Sequence, residues 1–164
     1  MLVSIQTYFH FEIKIWKVPC FTSLAGFLRF FTRIPQMSST GHFWEAAKTG
    51  NISQLSALIN AKANVDAPLE NKKTALHYAA ECGNLAVAQL LLDANANPNV
   101  YCLHHQTPVY YAAQNSHDAI VQMLVDAKAS VDVRDDNLKT PLHFAAANGD
   151  SGSAQVLVNA KAEV

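Results

Sequence analysis

From about residue 41 the apolar and polar positions recur as a block. A polar loop leads into a short apolar run ending in an alanine pair: Ala46-Ala47, Ala79-Ala80, Ala112-Ala113 and Ala145-Ala146. A small residue follows at Gly50, Gly83, Ser116 and Gly149. A second apolar run comes next: Leu58-Ile59, Leu90-Leu91-Leu92, Met123-Leu124-Val125 and Val156-Leu157-Val158. The segments opened by Thr74, Thr107 and Thr140 superimpose at an offset of 33 residues. A fixed period in this range is the mark of stacked repeats, each a small unit that buries its apolar face only against its neighbours.

Each block predicts two short helices. Thr74, Thr107 and Thr140 are expected as N-caps accepting from first-turn amides, with Pro108 and Pro141 in the first turn, where a missing N–H does no harm. Gly83, Ser116 and Gly149 end the first helix by reversing the chain, Ser116 being the least suited. Asn51, Asn84, His117 and Asp150 open the second helix, and Asp93 and Asp126 close it. Neither helix should exceed about ten residues, too short to persist alone in water. A column of Leu58, Leu91, Leu124 and Leu157 is expected in the core. The column Gln54, Val87, Ile120, Ser153 is polar in the outer units, as expected of end units that face water. Repeat four opens poorly at Asp150-Ser151-Gly152-Ser153, and its end is expected to fray.

The segments Thr74-Ala75-Leu76-His77, Thr107-Pro108-Val109-Tyr110 and Thr140-Pro141-Leu142-His143, with the turn, the Val/Leu-rich run and the period, resemble the ankyrin repeat. The resemblance covers residues 41–164 and implies an all-α, ankyrin-type helical-hairpin solenoid of about four 33-residue repeats, with a non-repeat N-terminal segment. The repeats fall at about 41–69, 70–102, 103–135 and 136–164. Repeat three departs at Val109-Tyr110, and repeat one lacks the Thr-Pro-Leu-His segment. Lys62, Asn95, Lys128 and Lys161 stand where the family usually places glycine after the second helix; Asn95 tolerates that geometry best, and the three lysines imply modest strain or a slightly different turn. The family also implies a structural role for His77 and His143, bonding groups of neighbouring units.

Net charge is −1, but it divides unevenly. Residues 1–36 carry Lys14, Lys17, Arg29 and Arg33 against Glu12, a net +3; residues 37–164 carry eight basic and twelve acidic groups, a net −4. The mildly acidic array lacks the basic stripe that nucleic-acid binding requires. Cys20, Cys82 and Cys102 have no paired spacing, which argues for free thiols inside a cell, the producing cell and a host cell both remaining open. Residues 1–36 fall outside the period and hold eight aromatics. Their charge-free run from Val18 to Leu28 is too short for a membrane span and lacks a clean cleavage site. They are expected to lie outside the folded domain of residues 37–164, Met37 reading as an ordinary start.

No catalytic or phosphate-binding motif is present. Cys102, His104 and His105 have no recognised zinc spacing, and Asp135-Asp136 reads as a solvated pair. No cofactor or metal is expected. The column Tyr78, Tyr111, Phe144 reads as core packing over a ligand-stacking platform. The family resemblance implies binding of a protein through hairpin tips and the ends of the first helices, along the concave side. By position the tips here are Glu70, Asn71 and Lys73, then Leu103, His104 and Gln106, then Asp136, Asn137 and Lys139, with Pro68, Tyr101 and Arg134 before them. The helix-end positions are Lys48, Thr49, Glu81, Cys82, Gln114, Asn115, Ala147 and Asn148. Tyr101, Leu103 and Arg134 stand out as large; Tyr and Arg are types enriched at interface hot spots, and Leu103 is apolar with no frame role in the repeat. The sequence thus points to a non-catalytic, monomeric interaction module. The alternative is the partner- or substrate-recruiting arm, whole or a fragment, of a larger ankyrin-containing enzyme or channel.

Overall fold

A computed structural model of the chain describes residues 39–160. The expectations for residues 1–36, Cys20, Lys161 and the frayed end of repeat four lie outside the described residues. Four helical hairpins follow one another: α1 Ser39–Thr49 and α2 Ile52–Asn60, α3 Ala75–Cys82 and α4 Leu85–Asp93, α5 Pro108–Gln114 and α6 Asp118–Asp126, α7 Pro141–Ala147 and α8 Ser151–Asn159. At 11 residues α1 is longer than the expected ten or so. The first helices pack in one row, α1 on α3, α3 on α5 and α5 on α7, and the second helices line up as a second row behind them.

The turn between the two helices is left-handed in every unit, with φ of +73° at Gly50, +75° at Gly83, +58° at Ser116 and +68° at Gly149. Ser116 adopts this without the freedom of glycine, as the sequence predicts. The second helices end in a left-handed residue as well, Lys62, Asn95 and Lys128, at φ of 58°, 62° and 66°. There the amides of Asn95 and Ala96 close back on the carbonyls of Leu92 and Leu91, and the lysine positions repeat the pattern.

The N-caps divide by position. In the outer units Asn51 and Asp150 accept from the third-residue amides of their own helices, Gln54 and Ser153, each at 3.1 Å. In the middle units the cap side chain reaches to the preceding repeat instead. Asn84 Nδ2 donates to the Ala47 and Lys48 carbonyls at 2.8 and 3.1 Å, and His117 Nε2 donates to the Glu81 carbonyl at 3.3 Å. On the loop side, Asp66 accepts from the Asn97 amide and Asn99 from the Ser130 amide, the same rung one repeat apart.

Leu91, Leu124 and Leu157 are fully buried, but Leu58, in the same column, is only half-buried. Leu55 fills the core of repeat one in its place, where the later units carry Ala88 and Val121. A second expectation also fails: Ser153 does not face water. It is fully buried, because α8 lies against α6 on that side. Gln54, at the other end of that column, is half-buried.

An aromatic staircase crosses the repeats with a step of 34, not 33. The ring in the histidine slot of one unit touches the ring one residue later in the next: Trp44 with Tyr78 at 5.7 Å, His77 with Tyr111 at 5.9 Å and Tyr110 with Phe144 at 4.7 Å. Edge-on and tilted rings at these distances add attraction beyond their buried area. Tyr111 is buried and Tyr78 and Phe144 are half-buried, so these rings tie the row of first helices together.

Candidate interaction surface

The surface is made by three hairpin tips, and each is closed by the same backbone bond. Leu69 N–H donates to Lys73 O at 2.8 Å, Cys102 N–H to Gln106 O at 3.0 Å and Asp135 N–H to Lys139 O at 2.9 Å. The tightness of these loops forces a left-handed residue two places before each threonine: Lys72, His105 and Leu138, at φ of 58°, 57° and 60°. None is glycine, so each carries a side chain out from the tip at a backbone cost of about 1 kcal/mol.

The tips are anchored to the helices behind them. Thr74 N–H donates to His77 Nδ1 at 3.0 Å, which leaves Nε2 protonated to donate to the Gln106 carbonyl of the next unit at 3.2 Å. The family-implied structural role of His77 is therefore what the geometry shows. Burial holds this imidazole neutral and lowers its pKa to about 4. Thr140 and His143 repeat the local half of the arrangement.

Repeat three solves the same problem differently. Tyr110 stands in the histidine slot, so Thr107 loses its partner, and the expected cap bond is absent: the Thr107 hydroxyl is buried with no hydrogen bond. Tyr110 instead sends its hydroxyl to Asp135 Oδ2 at 2.7 Å, while Asp135 Oδ1 accepts from the amides of Asn137 and Lys139, each at 2.9 Å. Asp135 is 5% exposed, so the reading of Asp135-Asp136 as a solvated pair is wrong for its first member. An aspartate that caps a tight loop from within needs burial, and the Tyr110 hydroxyl makes burial tolerable. Burial pushes this carboxyl up, but the bonds from Tyr110 and the two amides outweigh it and hold it below the usual range. Burial, then the neighbouring carboxylate, pushes the Tyr110 hydroxyl up.

The sequence-predicted residues separate into two groups. Tyr101 and Leu103, each 49% exposed, and Arg134 face outward. His104 and Asp136 are exposed but joined across adjacent tips: His104 Nδ1 lies 3.3 Å and His105 Nδ1 2.8 Å from the Asp136 carboxylate, whose pKa these contacts lower, His105 first. Asn137 projects from the same tip. Gln106 turns inward, accepting from the Tyr111 hydroxyl at 2.6 Å beside Cys102. Lys139 lies 5.3 Å from the Phe144 ring. Glu81 pairs with Lys73 at 2.8 Å, and that ammonium sits 4.1 Å over the Tyr111 ring. Asn115 ties back to the Tyr111 carbonyl at 2.9 Å, and the Gln114 carbonyl receives Asn148 at 2.7 Å, leaving the Gln114 side chain exposed.

Sequence reasoning passed over Leu138, which at 71% is the most exposed large apolar side chain among the described residues. The signal was available: Lys72, His105 and Leu138 recur at 33 and have no frame role. Among the described residues no group of three or more His, Cys, Asp or Glu side chains is arranged to hold a metal ion, and no helix is long and apolar enough to cross a membrane. Cys82 and Cys102 are free thiols, the first exposed and the second buried. The surface is thus a display of mixed chemistry on loops held by internal bonds.

No curated protein matches the chain. The family model described as ankyrin repeats (3 copies) matches residues 38–102 and again 94–164. Four stacked helical hairpins span the matched residues, so the chain belongs to the ankyrin repeat family, whose arrays generally serve as protein-interaction modules.

Proposed function

We propose that this array, as a monomer, grips a protein partner across the tips of repeats three and four. The observation that supports this reading is the exposure of Tyr101, Leu103 and Leu138, at 49%, 49% and 71%, on loops whose backbones are fixed by internal bonds. Leu103 contributes its amide to the Asn71 carbonyl at 2.9 Å and leaves its side chain in water. Apolar side chains presented on rigid loops lose little conformational entropy on binding. His104, Arg134, Asp136, Asn137 and Lys139 form a polar rim around them, with Glu81, Gln114 and Asn115 at the helix ends and Gln106 supporting the tip from beneath. No step in this reading requires catalysis, a cofactor or nucleic acid.

The test is capture with residues 37–164 as bait, wild type against Leu103→Asp, Leu138→Asp and Tyr101→Ala. Each variant should keep the wild-type circular dichroism and melt while recovering less of the captured protein. Undiminished capture by all three variants ends the reading. If Leu103→Asp unfolds the array, Leu103 belongs to the frame and not to the contact.

A further inference from the structure

The row of second helices carries its own groove, away from the tips. It is a shallow, open depression of about 440 Å³ between α4 and α6. Leu85, Leu92 and Met123 give it an apolar floor; Leu85 is 43% exposed. Asp93 and Asp126, the last residues of α4 and α6, stand on either side of one end.

These carboxylates are in an electrostatically poor place. A helix C-terminus carries partial negative charge and favours cations, yet neither helix has a basic residue in its last turn. The flanking helices α2 and α8 end in neutral Asn60 and Asn159 in the same column, so the charge appears only where the groove is. Each carboxylate is held in place by the amide four residues earlier: Gln89 donates to Asp93 Oδ1 at 2.7 Å and Gln122 to Asp126 Oδ1 at 2.9 Å. Neither forms an ion pair among the described residues, although Lys128 lies only two residues beyond Asp126.

We propose that this groove takes a basic amphipathic helix of a protein partner. Its apolar stripe lies on Leu85, Leu92 and Met123, and a lysine or arginine sits between Asp93 and Asp126. One cation there relieves two like charges and two helix ends together, which selects a basic segment over a neutral or acidic one. Groove binding by an amphipathic helix reads out apolar positions at helical spacing. The inference is independent of the tip surface, since the two share no residue.

The test uses the full chain and a fluorescent synthetic helix with leucines along one face and two lysines at one end, followed by anisotropy. The same helix with glutamate in place of lysine is the control. The lysine helix should bind and the glutamate helix should not. Binding should weaken by about tenfold or more in Asp93→Asn/Asp126→Asn. That double variant should melt no lower than wild type, because it removes unfavourable charge. Leu85→Lys should also abolish binding, while Leu103→Asp should leave it unchanged. The proposal is overturned if both helices bind alike or if the double variant binds as well as wild type. It is equally overturned if light scattering shows a dimer that Leu85→Lys separates, since the groove would then hold a second copy of this chain.

Discussion

Removing one oxygen from Tyr110 tests how repeat three supports the tip of repeat four. Tyr110→Phe keeps the ring that stacks at 4.7 Å on Phe144 and deletes only the hydroxyl that donates to Asp135 at 2.7 Å. Both residues are almost fully buried, at 2% and 5% exposure, so water does not readily replace the lost donor. A hydrogen bond to a charged group contributes about 1.5–3 kcal/mol, and a loss of about 2 kcal/mol is expected in urea unfolding at pH 7. Asp135→Ala should cost about 3 kcal/mol or more, because it also frees the amides of Asn137 and Lys139. In that background the hydroxyl has no partner, so adding Tyr110→Phe should change stability by less than about 0.5 kcal/mol. Hydrogen exchange at the Asn137 and Lys139 amides should accelerate in Tyr110→Phe before the rest of the array. Because the folded state lowers the Asp135 pKa, the stability it supplies is present above the unfolded carboxylate range and lost as pH falls through the folded value. The gap between wild type and Tyr110→Phe should therefore close in acid, below about pH 4. A loss under about 0.3 kcal/mol at pH 7, or a full loss that persists in Asp135→Ala, would refute the support described here.

Three further outcomes are expected. Thr107→Val should be neutral or stabilising by up to about 1 kcal/mol, since it removes a buried hydroxyl with no partner, whereas Thr74→Val should cost about 1–2 kcal/mol by removing the hydroxyl that accepts from the His77 amide at the start of α3; chemical denaturation of the pair separates the two. Because His77 is held neutral with a pKa of about 4, protons bind the unfolded chain more readily between that value and about pH 6.5. Stability should thus decline as pH falls through this window, by up to about 3 kcal/mol, and the slope should flatten in His77→Gln. Gly83→Ala should cost at least about 1 kcal/mol more than Gly149→Ala in a melting comparison. Both are left-handed, but a Cβ at Gly83 meets His117 Cε1 at 2.7 Å and displaces the His117 bond to Glu81, while at Gly149 nothing lies within 4 Å.

The fold was legible because its rules are local and repeated. A threonine before a proline, a glycine after the alanine pair and leucines at helical spacing each state their role within a few residues, and the 33-residue period checks them against one another. What escaped were relations that cross units out of register. The ring contacts step by 34, so a column drawn at 33 joins Tyr78 to Tyr111 and misses that each touches the slot before it. Asp135 looked solvated because its partner lies 25 residues upstream, on a side chain that takes the histidine's place. Ser153 looked like a cap residue because polarity was taken as exposure, whereas the packing of α8 on α6 decides the matter. Leu138 was passed over because its neighbours Asn137 and Lys139 fit the image of a polar tip.

The three left-handed tip residues amount to letters at fixed spacing on a ruler: a cation at Lys72, an imidazole at His105 and an alkyl group at Leu138. Packed helices stand about 10 Å apart, so the first and last letters are separated by about 20 Å. An extended chain advances about 3.3 Å per residue, and a segment of some six residues or more is needed to read all three in one pass. Under the binding mode proposed above, a change at Lys72 or Leu138 alters what a partner meets while the backbone bonds that close the tips remain, whereas a change at His105 also removes its 2.8 Å contact with Asp136 on the next tip.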